Sequence, residues 1–175
     1  MLRPLGKSVE RPPCLPLTCC AFLLLVATSS LAQDTYNRNN FNYKSYKPST
    51  SIGFYTNQSC DFINIDHVVS LKDAYDSGAS SWSEPEREAF ANDKSNHVPS
   101  CGRVNSSKGS ARPKDFLRRS NDGKGLEYEI VRFCEYVRKY YAVKIKYNLS
   151  FASNDQTIFA DCEGVTIKSF KHRNG

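Results

Sequence analysis

Several things are missing from this chain, and each absence narrows what it can be. No two cysteines are spaced as a CxxC pair, so a structural zinc site of the usual finger or ribbon kind is disfavoured. No internal repeat is visible, which excludes solenoids and propellers. Beyond the N-terminus no apolar run approaches the roughly 20 residues that a membrane span needs. Net charge is only +6 over 175 residues, a balance that permits a polyanionic partner without demanding one. Aliphatic side chains are almost missing from residues 33–50, QDTYNRNNFNYKSYKPST, so this stretch is expected to be a mobile polar leader.

The N-terminus has the layout of an export signal. Arg3, Lys7 and Arg11 precede a largely apolar segment from Leu15 to Ala27, and Ser30-Leu31-Ala32 offers small residues for cleavage before Gln33. Residues 1–32 are therefore expected to be removed, leaving a secreted protein with a net charge of +4 and no membrane attachment. Three of the seven cysteines go with the signal. Cys60, Cys101, Cys134 and Cys162 remain, and four cysteines in an exported chain imply two disulfides with three pairings open.

The rest reads as one α+β domain, residues 51–165, followed by a basic tail over 166–175. Gly53 to Thr56 reads as a short strand, and Phe62 to Leu71 as a second β-rich run. Helices are expected over Lys72 to Ser77 and over Glu84 to Ala91, the second capped by Ser83. His97-Val98-Pro99 is extended, Arg103 to Gly109 is a polar stretch, and Arg112 to Leu117 opens a short helix or turn. From Glu127 to Tyr147, apolar residues recur at helical spacing through Ile130, Phe133, Val137, Tyr140 and Ile145. That stripe, like the lone Trp82, is read as packing and not as a site.

Three polar segments fall where a strand or helix end does not require them: Ile65-Asp66-His67-Val68-Val69, Asn92 to His97, and Val104 to Gly109. Phosphodiester hydrolysis needs a base for water and a hard cation for the charge that builds on phosphate. Histidine suits the first task, while carboxylate and amide oxygens suit Mg²⁺. Taken singly, His67 reads as readily as a core histidine and Asn105 as a helix cap.

Taken together, the ordered segments Asp66-His67-Val68-Val69-Ser70-Leu71, Gly78-Ala79-Ser80-Ser81-Trp82, Arg87 to Asn96, Asn105-Ser106-Ser107-Lys108-Gly109 and Pro113 to Leu117 resemble the HNH endonucleases of the His-Me finger (ββα-metal) superfamily. The likeness is to a branch of small exported members. It implies a ββα-metal core embedded in helices and stapled by disulfides. It implies His67 as general base, with Asp66 and Asn105 as ligands of a divalent metal, Mg²⁺ or Mn²⁺. Asn96 would hold the loop that carries the base. Lys108 would sit near phosphate, with Arg103 and Arg112 as further substrate contacts. The expected substrate is nucleic acid, DNA before RNA, cut with little sequence preference; no protein partner is evident. The alternative is an exported nucleic-acid-binding protein that keeps the scaffold without catalysis. Two departures stand out: His97 follows Asn96 where an apolar residue is usual, and Ser106 replaces a common arginine; Asn105 stands in a glycosylation sequon, as do Asn57 and Asn148.

Overall fold

The structure is a computed structural model, and it describes residues 35–116 and 129–162. The expected signal over 1–32 and the tail over 166–175 lie outside the described residues.

The centre is a two-stranded antiparallel sheet. Strand β1 (Ile63–His67) pairs with β2 (His97–Cys101), with Ile63 opposite Cys101 and His67 opposite His97. The Cys60–Cys101 disulfide closes the open end of this ladder, and a two-stranded sheet alone is marginal in water. Between the strands come helix α1 (Leu71–Asp76) and helix α2 (Glu84–Asn92). Directly after β2 comes helix α3 (Gly102–Lys108), which packs against both strands. The order is thus strand, strand, helix, with two helices inserted in the hairpin. Helix α4 (Phe133–Lys146) and the short α5 (Gln156–Ala160) follow, joined by the second disulfide, Cys134–Cys162. Two disulfides were expected, and the geometry selects one of the three pairings. Among the described residues no helix is long and apolar enough to cross a membrane.

Local chemistry explains the boundaries. Ser70 ends the β-rich run because its side chain accepts from the Asp73 amide and caps α1, so β1 stops at His67 and not at Leu71. Ser83 and Glu86 form a reciprocal capping box at α2, as the sequence suggests. On α4 the apolar stripe is buried through Tyr136, Val137, Tyr140 and Val143, and Trp82 packs against Phe90 and Tyr147.

Three expectations need correction. Gly53 to Thr56 is a turn and not a strand, closed by the Asn57 amide on the Gly53 carbonyl with Asn57 at φ 54°. The polar stretch after Arg103 is helical: α3 needs only Val104 and Lys108, one turn apart, to bury its inner face. The leader is not mobile over its described part, 35–50. A 3-10 turn spans Arg38–Phe41, Phe41 is fully buried against Phe90, and Tyr36 and Tyr43 pack on the core. Four aromatic side chains in sixteen residues supply the apolar area that the aliphatic count hides.

Candidate active site

β1 delivers Asp66 and His67 as consecutive residues whose side chains leave the strand on opposite faces. Both are about 95% buried, and both nevertheless line one open cavity of about 390 Å³. Asn105 from α3 lines it too, together with Arg38 and Lys72. The reach across faces is possible because the ladder ends at His67 and the chain turns away at Val68, whose amide donates to the Asn96 carbonyl.

Asp66 is held from behind. Its Oδ2 accepts from the Tyr55 hydroxyl at 2.6 Å and lies 3.0 Å from the Lys108 ammonium. Lys108, wholly buried at the last turn of α3, also donates to the His67 carbonyl at 2.8 Å. One lysine thus fixes the carboxylate and the backbone of the neighbouring histidine. Tyr55 is wedged edge-on between Phe116 and Tyr136, so the pair sits against an aromatic wall of low polarity.

The His67 ring has one nitrogen engaged. Nε2 lies 2.7 Å from the Ala91 carbonyl, an acceptor only, so Nε2 carries the hydrogen and Nδ1 keeps a lone pair. Burial pushes the imidazole pKa down to about 3, the Ala91 carbonyl opposes this, and the charges of Arg38 and Lys108 add to the depression. The ring is therefore neutral at any physiological pH. Tyr43 and His97 stand edge-on to it at 4.6 and 4.7 Å between centroids. His97 donates through its own Nε2 to the same Ala91 carbonyl at 3.0 Å, and its Nδ1 accepts from Tyr46 at 3.2 Å. The histidine that departs from the family pattern therefore buttresses His67 through a shared acceptor.

Asn96 is completely buried and its side chain clamps Val69, two residues beyond His67. Its amide oxygen accepts from the Val69 N–H at 2.8 Å and its amide nitrogen donates to the Val69 carbonyl at 3.0 Å. Asn105 donates through Nδ2 to Asn64 Oδ1 at 2.8 Å, leaving its own oxygen as an acceptor. Asp66 and Asn105 thus bring one carboxylate and one amide to the lining of the same cavity. Among the described residues no group of three or more His, Cys, Asp or Glu is arranged to hold a metal. The donor set suits a hard cation that takes few protein oxygens and keeps several waters, as Mg²⁺ does.

Asp66, His67 and Asn105 come together, and Asn96 supports them. The basic residues do not fall where they were expected. Lys108 is sealed behind Asp66 and does not line the cavity, because its charge is spent on a buried carboxylate. Arg103 is exposed on α3 outside that cavity, and Arg112 is bonded to Asp73 at 2.9 Å on the rim of a different one. Arg38 and Lys72 line the His67 cavity instead, the latter in an ion pair with Asp76 one turn further along α1. Arg38 was hidden in the polar leader, and only the aromatic spacing around it, Tyr36, Phe41 and Tyr43, signalled that this segment packs. Nothing in the sequence marked Tyr55 or the Ala91 carbonyl.

Residues 17–161 match the family model of the C-terminal domain of GmrSD restriction endonucleases, and the chain belongs to that family, one of the HNH/His-Me nuclease type. A curated relative from Arthroderma benhamiae, described as an uncharacterized secreted protein, is 34% identical over 97 residues. The match takes in 54% of this chain and 43% of that protein, so the chain spans less than half of its relative. No solved structure matches.

Proposed function

We propose that the protein is an exported, metal-dependent endonuclease that hydrolyses phosphodiester bonds of DNA, or secondarily RNA, with His67 as general base. The observation that carries this is the convergence of Asp66, His67 and Asn105 on one open cavity, from positions up to 39 residues apart in sequence. The strand, strand, helix order that brings them there supports reading this core as a ββα-metal element. The family supports nuclease chemistry, and the relative's description supports export.

His67 Nδ1 accepts a proton from the attacking water. Its tautomer is set in advance by Ala91, and burial keeps the ring neutral. The Asp66 and Asn105 side chains would hold a divalent cation, Mg²⁺ or Mn²⁺, which would supply Lewis acidity for the charge that builds on the phosphate. Arg38 contributes positive charge at the cavity for the substrate backbone, next to the Lys72–Asp76 pair. Asn96 and Lys108 act by holding the base and the carboxylate in register.

The test is plasmid nicking by the secreted protein with Mg²⁺ or Mn²⁺, repeated with EDTA and with His67→Ala. Loss of cutting in both, with the fold unchanged by circular dichroism, is the expected result. A fully active His67→Ala protein refutes the assignment. One observation favours an inactive scaffold instead: Lys108 already neutralises Asp66, which lowers the attraction of the site for a cation. Retained DNA binding without degradation under any metal decides for that reading.

A further inference from the structure

Phe62 precedes β1 with 68% of its surface exposed, the most of any large apolar side chain among the described residues. A solitary exposed apolar residue is ordinary, but this one is seated and has company. A Cβ placed on Gly102 would lie 2.5 Å from the Phe62 ring, so the ring rests directly on the Gly102 backbone. The Gly102 amide donates to the Phe62 carbonyl at 2.9 Å, and the Cys60–Cys101 disulfide brackets both residues. Tyr46, itself 41% exposed, lines the same open cavity of about 670 Å³ as Phe62, with Lys47 and Asn64. That volume is in the range of small-molecule sites.

The cavity adjoins the candidate active site across one hydrogen bond. Asn64 lines it on one side and accepts from Asn105, which lines the other cavity. At about 3.3 Å per strand residue, Phe62 lies roughly 13 Å along β1 from Asp66, a few nucleotides away. The surroundings are mainly basic: Lys47 is exposed in the cavity, Lys94 stands 5.6 Å from the Tyr46 ring centre, and Arg103 is exposed one residue beyond Gly102. Asp61 is the acidic neighbour in the same cavity.

We infer that Phe62 and Tyr46 form a stacking platform for unpaired bases, so that the strand led to His67 is single-stranded or locally unpaired nucleic acid. The inference rests on the nuclease reading and names its substrate class. In a duplex each base face is covered by its neighbours, whereas an unpaired base presents a face to an aromatic ring and its phosphates to nearby lysines and arginines.

The experiment uses the full chain carrying His67→Ala, so that binding is measured without cutting. Fluorescence anisotropy follows a labelled single-stranded oligonucleotide and its duplex at low salt. Tighter binding of the single strand is expected, and Phe62→Ala should weaken that binding about tenfold while leaving the duplex unchanged. Phe62→Trp should retain it. Gly102→Ala keeps the phenyl ring but displaces it from its seat; Gly102 does not need a left-handed backbone, and the ring can swing away, so the same loss is expected at an unchanged melting temperature. This variant also decides the matter if Phe62→Ala fails to fold. Equal affinity for the two oligonucleotides, or single-strand binding indifferent to both variants, overturns the inference. Failure of the nuclease reading shows itself differently, as absence of cutting by the protein that retains His67.

Discussion

Lys108→Met separates a lysine that grips phosphate from one that holds the site together. The ammonium is fully buried, 3.0 Å from Asp66 Oδ2 and 2.8 Å from the His67 carbonyl. Removing it leaves Asp66 charged against an aromatic wall, with only the Tyr55 hydroxyl on that oxygen. Breaking a buried pair from one side costs about 3–5 kcal/mol, a large share of the roughly 5–15 kcal/mol that a domain has. Urea unfolding of the protein, disulfides intact, should therefore show the unfolding free energy lowered by that amount, read as a lower midpoint at constant m. A lysine whose business was substrate would shift stability by no more than about 0.5 kcal/mol when replaced. Adding Asp66→Asn to Lys108→Met should recover part of the loss, since the stranded charge is gone. The salt dependence of DNA binding gives a second readout. Loss of one phosphate contact lowers the log–log slope by about 1, and Lys108→Met is expected to leave it unchanged. A variant as stable as its parent with a slope reduced by one refutes this account of Lys108.

Two further outcomes follow from the same geometry. His67 titrates near 3 in the fold against 6.5 when unfolded, so between those values the unfolded chain binds the extra proton and stability rises with pH; this one group contributes a slope of up to about 1.4 kcal/mol per pH unit, which chemical unfolding from pH 4 to 6 should detect and His67→Gln should remove. Sugars on the secreted protein should map by mass spectrometry to Asn57 and Asn148, which are exposed at left-handed turns, and not to Asn105, whose Nδ2 is donated to Asn64 beside the cavity.

The sequence was informative where side-chain type and local spacing decide structure. Ser83 with Glu86 announces α2, the apolar stripe announces α4, and the ordered Asp66, His67, Asn96 and Asn105 announce a site. It was silent where tertiary partners decide. α3 buries a lysine on its inner face, which reads as a surface residue until Asp66 is seen behind it. The Gly53 to Thr56 segment has strand-forming residues, but Asn57 in the left-handed region turns it back. The 35–50 segment looks soluble because its apolar area is carried by tyrosine and phenylalanine among asparagines. Arg38 and the Ala91 carbonyl enter the site from segments with no chemical signature of their own.

Why such a small sheet can hold a base in place becomes clear along residues 66–73. Asp66 is pinned by Tyr55 and Lys108, the His67 carbonyl by Lys108, and its ring by Ala91. The Val68 amide and both Val69 backbone groups are satisfied by Asn96. Ser70 caps α1, and Asp73 at the far end is held by Arg112, Tyr140 and the second buried lysine, Lys144. Every residue from Asp66 to Ser70 thus has a fixed backbone or side chain, supplied by the 53–57 turn, α1, α2, α3 and the 93–96 turn and not by the sheet itself. Catalytic geometry tolerates errors of well under an ångström, and a two-stranded ladder alone leaves more freedom than that. The buried aspartates at the two ends are costly to desolvate and each is met by a lysine of its own. That cost is consistent with a segment whose position matters more than its contribution to stability, and it makes Asp66 to Asp73 the stretch where conservative substitutions should be felt in rate before they are felt in folding.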